Sequence, residues 1–302
     1  MFLHDDRENF EDIITQAAFG SAMDEGMIEK DYYVTMLLRE CAASNVGYVF
    51  KGGTSLSKCY KVIDRFSEDI DLTVKTTPTQ GQRYLIADTM MRAAEKIGLT
   101  LKNRDDIRRR RDFNRYVFEY ESVFDTATVS SQIIVEIYVA LLSFPVDRKS
   151  ISSLAGEVLA EADADVAETY GLLPFEIDVQ DIRRTLVDKV FALCDYYLSN
   201  KSERYSRHIY DIYQILGKVS LQTIDKQLVE EVRKMRSSNP RCLSAHEDVD
   251  VTEVLREIAH KDFFKNDYRK ITETLLFKPV PYERAVTAIN QIIQSELFVT
   301  KR

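Results

Sequence analysis

The stretch YVFKGGTSLSKCYKVIDRFSEDIDLTV, Tyr48 to Val74, constrains this chain more than any other. An apolar run, Tyr48 to Phe50, enters the double glycine Gly52-Gly53. A helix-like segment from Ser55 to Ile63 and a polar turn follow, then a second apolar strand holding two aspartates. Alternate residues of a strand share a face, so Asp69 and Asp71 point one way while Ile70 and Leu72 point into a core. Adjacent carboxylates repel, and a divalent cation resolves that repulsion; Mg²⁺ favours one or two carboxylates completed by phosphate oxygens.

The glycines let the backbone turn sharply and approach a ligand. Thr54 and Ser55 stand where a helix begins, so hydroxyls and free N–H groups are expected to face an anion. A phosphate cradle followed by an acidic pair is the layout of a nucleotide-handling site.

The rest of the 302 residues sets the frame. The length suits one large domain or two modest ones. A net charge of −8 argues against a generally basic nucleic-acid coat but leaves room for a local patch. Cys41, Cys59, Cys194 and Cys242 are scattered, as are the four histidines, so a zinc centre is not expected and reduced thiols are. The acidic N-terminus gives no signal peptide, and no apolar run reaches the roughly 20 residues a spanning helix needs. A soluble, cytoplasmic protein is expected, with no membrane partner.

Helical spacing covers residues 5 to 20, then about Met27 to Ala43, where Glu29, Lys30 and Asp31 form a compact charged cluster whose plain reading is a helix N-terminus with surface charge. A helix from about Thr79 to Ile97 closes at Gly98, and Leu99 to Lys102 reads as a short strand. Lys102 to Tyr116 holds seven basic and three acidic residues. The alternation of Arg115, Val117 and Glu119 against Tyr116, Phe118 and Tyr120 continues it as a strand. A turn at Asp125 to Ala127 then leads to the strand Gln132 to Ala140, making an antiparallel hairpin. Glu136 is an acid in an almost wholly apolar strand, expensive unless paired, metal-bound or at an edge. With Asp69 and Asp71 it is read as a third metal ligand.

Residues 155 to 167 are small and acidic, a helix or a loose excursion. From Gly171 strand-like runs are expected to stop. Helices are expected over about Gln180 to Leu198, Tyr205 to Gly217, Ser220 to Met235, Thr252 to Phe264 and Tyr282 to Leu297. This gives domains at 1–174 and 175–302.

The Gly-Gly-Thr, helix, Asp-Ile-Asp order with a later strand glutamate resembles the polymerase beta-like nucleotidyltransferase superfamily. KGGTSLSKCYKVIDRFSEDIDL is similar, more narrowly, to the AbiEii/AbiGii toxin family of nucleotidyltransferases, through Gly52, Gly53, Thr54, Leu56, Tyr60, Arg65, Ser67, Asp69, Ile70, Asp71 and Leu72. IEKDYYVTMLL resembles the family's N-terminal helix, TLVDKVFAL carries its lysine at Lys189, and RHIYDIYQI its Arg-x-x-Tyr-Asp at Arg207 and Asp211; His208 departs from the Asp frequent there.

The resemblance implies an α+β, two-domain fold, with a mixed sheet and flanking helices followed by a mainly helical domain. It implies NMP transfer from a nucleoside triphosphate to an acceptor hydroxyl, the tRNA 3′ end foremost, by the toxin of an abortive-infection, phage-defence system. Transfer to protein or a small molecule, or a non-catalytic nucleotide binder, are the alternatives. Asp69, Asp71 and Glu136 would bind Mg²⁺, or Mn²⁺ in its place, with Lys189 and Asp211 as further catalytic residues. Lys51, Gly52, Gly53, Thr54, Ser55, Lys58, Arg65, Ser67 and Arg207 would bind nucleotide. The run Arg108, Arg109, Arg110 and Arg111 is a candidate acceptor patch, and a cognate antitoxin is implied by analogy.

Overall fold

The computed structural model describes residues 1–19, 21, 23–124 and 129–299. The chain divides into two compact units: residues 1–59 with 67–180, and residues 60–66 with 181–302.

The first unit is built on a seven-stranded mixed sheet. Its strands are β1 (Tyr48–Lys51), β2 (Ile70–Val74), β3 (Thr100–Leu101), β4 (Phe113–Glu119), β5 (Gln132–Tyr138), β6 (Val146–Ile151) and β7 (Phe175–Gln180), in the order β3-β4-β5-β2-β1-β7-β6. β2 runs parallel to β5 and β1 parallel to β7; the remaining neighbours are antiparallel. The expected β4–β5 hairpin forms; the turn expected at Asp125 to Ala127 lies outside the described residues. Strand parity falls as read, with Tyr116, Phe118 and Tyr120 buried on one side of β4.

Helices α1 (Arg7–Ala18), α2 (Glu25–Ala43), α3 (Gly52–Lys58), α4 (Gln80–Lys96), α5 (Leu154–Ala162) and α6 (Ala164–Thr169) complete this unit. Asp24 caps α2 through the Met27 amide at 2.9 Å. Twelve of its nineteen residues are buried, so α2 is an inside helix that packs on β7, α4 and α5 rather than a one-sided surface helix. That burial overturns the surface-charge reading of Glu29 and Lys30: neither is solvated, at 1% and 3% exposure. Thr79 and Gln82 close a capping box on α4, and Gly98, at φ +76, ends it.

Strands do not stop at Gly171. β7 follows Pro174, and with it the sheet extends to Gln180, so the division falls there rather than before Phe175. On one face of the β6–β7 pair Arg148 stands opposite Asp178 and Ser150 opposite Glu176, which weakens the apolar alternation by which strands are recognised.

The second unit is helical: α7 (Ile182–Leu198), α8 (Arg207–Leu216), α9 (Lys226–Ser237), α10 (Val251–His260), the single turn α11 (Lys265–Asp267), α12 (Tyr282–Ala285) and α13 (Thr287–Ser295). Its core includes Leu186, Val190, Phe191, Ile209, Ile212, Leu255 and Ile289, all fully buried. The helix expected from Ser220 starts only after Asp225, which caps α9, and the one expected over Tyr282 to Leu297 breaks at Val286. Residues 60–66 join this unit as an extended strap: Arg65 bridges to Leu276, and Phe66 N–H donates to Leu275 O at 3.2 Å. Cys41, Cys59, Cys194 and Cys242 are free thiols, and no helix among the described residues is long and apolar enough to cross a membrane.

Candidate active site

Sheet register assembles the first part of the site. Asp71 on β2 pairs with Glu136 on β5, Lys51 on β1 pairs with Asp71, and Arg115 on β4 pairs with Glu136. Directly paired residues share a face, so Arg115, Glu136, Asp71 and Lys51 form one row across four strands, charged plus, minus, minus, plus. Asp69, two residues before Asp71, is on the same face by parity, while Ile70 and Leu72 are fully buried on the other. β5 lies between β4 and β2, which excludes an edge-strand glutamate. Burial pushes the Glu136 carboxyl up, and Asp71 and Asp69 push it further; Arg115, with Nε 3.6 Å from Glu136 Oε1, and Lys51 oppose them. Like charge is concentrated mid-row and cations flank it.

The double glycine supplies the second part. The backbone leaves β1 extended at Lys51, turns through Gly52 at φ +78 and enters α3. A Cβ at Gly52 would meet Asp71 Oδ2 at 1.9 Å, so the carboxylate occupies the space a side chain would take. Thr54 and Ser55 depart from expectation. Thr54 is buried and its hydroxyl donates to Asp69 O at 2.5 Å, with Ser67 Oγ 3.0 Å away. Ser55 Oγ donates to Gly52 O at 2.9 Å. Both hydroxyls brace the turn from inside. Lys58 is also engaged, in a largely buried ion pair with Asp31.

The second unit gathers another set. Arg65 holds Asp211 in a two-pronged pair, Nε to Oδ1 at 2.8 Å and Nη2 to Oδ2 at 2.9 Å, and Lys189 Nζ reaches Oδ2 at 2.6 Å. Asp211 is fully buried, Arg65 and Lys189 nearly so. Burial works to raise the Asp211 carboxyl, yet Arg65 and Lys189 hold it well below the usual carboxylate range. Burial pulls Lys189 down, against the pull of Asp211. Two cations on one anion leave the cluster with one net positive charge. Asp211 is thus held by Arg65 and Lys189 rather than by Arg207, one helical turn before it. His208 is held neutral, pushed well down by burial and by Lys189.

A family model for the nucleotidyl transferase AbiEii toxin of type IV toxin–antitoxin systems matches residues 36–290. The chain belongs to the AbiEii family. It is therefore a nucleotidyltransferase of the toxin type. JHP933 from Helicobacter pylori is similar in fold, at TM-score 0.53 and 15% identity over 91% of this chain and 94% of that one. So is MenT4, a nucleotidyltransferase toxin from Mycobacterium tuberculosis H37Rv, at TM-score 0.52 and 17% identity over 97% and 94%. No curated protein sequence matches.

Placed in this AbiEii enzyme, the arginine run lies against α4. Arg109 Nε is 3.0 Å from Asp88, Arg110 Nε donates to Tyr84 Oη at 2.7 Å, and Arg83 pairs with Asp112 at 2.7 Å. Arg108 folds onto its own loop, with Nη1 3.2 Å from Ile107 O, and Arg111 is exposed. These contacts are solvent-exposed and individually weak.

Among the described residues no group of three His, Cys, Asp or Glu side chains is gathered closely enough to form a metal cage. Glu136 leans on Arg115, so the expected three-acid set is a matched pair, Asp71 and Glu136, with Asp69 one step along the strand. That donor set fits Mg²⁺, which takes one or two protein carboxylates and fills its remaining positions from water and phosphate. Arg115 is a site neighbour that sequence reasoning passed over; its parity opposite Glu136 in the hairpin was the available signal.

Proposed function

We propose that this toxin transfers NMP from a nucleoside triphosphate to the 3′ hydroxyl of tRNA, in a divalent-cation-dependent reaction that arrests translation during phage infection. The row of Asp71 and Glu136 beside the Gly52 turn carries this reading: two acids kept adjacent at a cost, next to a backbone shaped for phosphate. Asp69, Asp71 and Glu136 would hold Mg²⁺, which when bound neutralises phosphate charge and eases loss of the acceptor proton. The N–H groups of Gly53 and Thr54 hold β- and γ-phosphate oxygens, and Lys51 adds charge at the turn. By family resemblance Lys189, Arg207 and Asp211 also serve the transfer, with Asp211 and Arg65 fixing the lysine. The acceptor oxygen bonds to the α-phosphorus as the α–β bridge breaks. Arg108 to Arg111 would hold acceptor phosphates by exchanging their weak local partners. The toxin acts in the cytoplasm, and its cognate antitoxin belongs to the same type IV system.

The test mixes the protein with each α-labelled triphosphate, Mg²⁺ and total bacterial RNA, beside Asp69→Ala. Label on tRNA-sized RNA that the variant lacks supports the proposal. Label on protein replaces the acceptor, and no label with any acceptor refutes the tRNA reading.

A further inference from the structure

Glu29, Lys30 and Asp31 are three consecutive charged residues on a largely buried helix, and the reaction as described uses none of them. Successive residues of a helix point about 100° apart, so such a run fans out to different neighbours. Each reaches a segment that leads into the site. Glu29 accepts the Val123 N–H at 2.9 Å and the Ser122 hydroxyl, fixing the chain as it leaves β4. Lys30 forms an ion pair with Glu68, the residue before Asp69, and donates to Ser130 O at 3.1 Å, just ahead of β5. Asp31 pairs with Lys58 at the end of α3 and accepts the Leu154 N–H at 2.9 Å at the start of α5.

The geometry of Lys30 is the informative part. β2 and β5 are parallel neighbours, and their relative placement sets the Asp71–Glu136 pair. Both strands enter the sheet from the end where Glu68 and Ser130 lie, and one ammonium holds both entrances. Thr54 adds a second hold on the same backbone through Asp69 O, and α3, which carries Thr54, is itself held by Asp31 through Lys58. Strand pairing fixes backbone register, but two like-charged side chains facing one another push apart; Arg115 and Lys51 offset part of that push, and a rigid approach to each strand resists the rest. A cost of burying these charges is met by full pairing of Lys30 and Asp31.

We infer that Lys30 and Asp31 are positioning residues for nucleotidyl transfer: Lys30 clamps the two carboxylate-bearing strands at their entrances, and Asp31 seats the glycine-turn helix. This rests on the reading of Asp69, Asp71, Glu136 and the glycine turn as the reacting site. Groups that orient ligands of a metal typically change affinity or rate by about 10–100-fold when removed.

The experiment compares Lys30→Met, Lys30→Arg, Glu68→Gln and the double variant Lys30→Met/Glu68→Gln with the wild type. Readouts are melting temperature, kcat and KM for the triphosphate, and equilibrium affinity for Mn²⁺ in the presence of a non-hydrolysable triphosphate. Glu68 is part-exposed, at 37% of its side chain, and Gln keeps an acceptor oxygen for Lys30, so Glu68→Gln is the mildest change in the set. The expected result for Glu68→Gln is a folded protein with a moderately lowered melting temperature, because buried Lys30 loses its counter-ion, together with a kcat lower by roughly 10–100-fold, KM within threefold, and weaker Mn²⁺ binding. Lys30→Arg recovers part of the loss, and the double variant is no worse than Lys30→Met. Unchanged kcat and Mn²⁺ affinity in a folded Glu68→Gln overturns the inference, as does a loss that follows melting temperature alone across the set. If the wild type transfers nothing to any acceptor, the acceptor reading fails, and Mn²⁺ affinity alone then decides the positioning claim.

Discussion

Oδ2 of Asp71 stands where a side chain on Gly52 would begin, 1.9 Å from the Cβ that any other residue would place there. The strand aspartate and the turn glycine are thus one fitted object, although 19 residues of sequence separate them in the same motif.

Gly52→Ala should therefore cost more than backbone strain. A left-handed φ costs a non-glycine residue about 1–2 kcal/mol, and Gly47, at φ +70 with nothing within 4 Å of its Cβ position, supplies the control. Gly47→Ala is expected to lower melting temperature and keep transfer activity. Gly52→Ala is expected to lose both, with kcat down roughly 100-fold because the Asp71 carboxylate is displaced. Equal activities in the two variants would separate Asp71 from the turn.

Glu136→Gln should raise the melting temperature of the ligand-free protein while abolishing transfer. Burial and two neighbouring aspartates already penalise the Glu136 charge, so an isosteric amide removes a repulsion that function requires. Differential scanning fluorimetry without divalent cations reads the first effect and labelled-nucleotide transfer the second.

Asp211 should make the helical unit acid-sensitive. Its carboxyl is held below its ordinary value by Arg65 and Lys189, whereas in the unfolded chain it titrates near its usual value of about 3.9. Its contribution is complete above the unfolded value and is lost as pH falls toward the folded one. Asp211→Ala should cost about 3–5 kcal/mol at neutral pH by leaving two buried cations facing each other. The gap between the variant and wild type in urea melts should narrow as pH is lowered below about 4.

Arg109→Glu with Arg110→Glu should raise KM for tRNA and leave KM for the triphosphate unchanged. Each lost phosphate contact reduces the salt slope of binding by about 1. Identical salt dependence in wild type and variant would return the run to its role as a strap along α4, where Asp88 and Tyr84 already hold it.

Much of the candidate site's geometry was legible because it depends on short-range rules. Alternation placed Asp69 and Asp71 on one face, a glycine pair predicted the turn, and the run QIIVEIYVA marked Glu136 as out of place. What escaped depends on distant partners. Nothing local says that Glu29 and Lys30 are buried; their partners lie 93 and 100 residues away. Thr54 and Ser55 look like phosphate donors until Asp69 O and Gly52 O are seen to take their hydrogens. β7 was missed because three of its six residues are polar and a proline precedes it.

The strap of residues 60–66 has a consequence for how such toxins can be taken apart or recombined. The most recognisable motif in the chain crosses from one compact unit to the other and back within a few residues. A fragment beginning at Asp181 would carry Asp211 and Lys189 without Arg65, the guanidinium that holds the aspartate with two prongs. A chimaera that grafts one relative's helical half onto another's sheet would inherit a mismatched strap unless both segments travel together. The division in space is therefore not a division in the sequence, and no single cut separates the two halves.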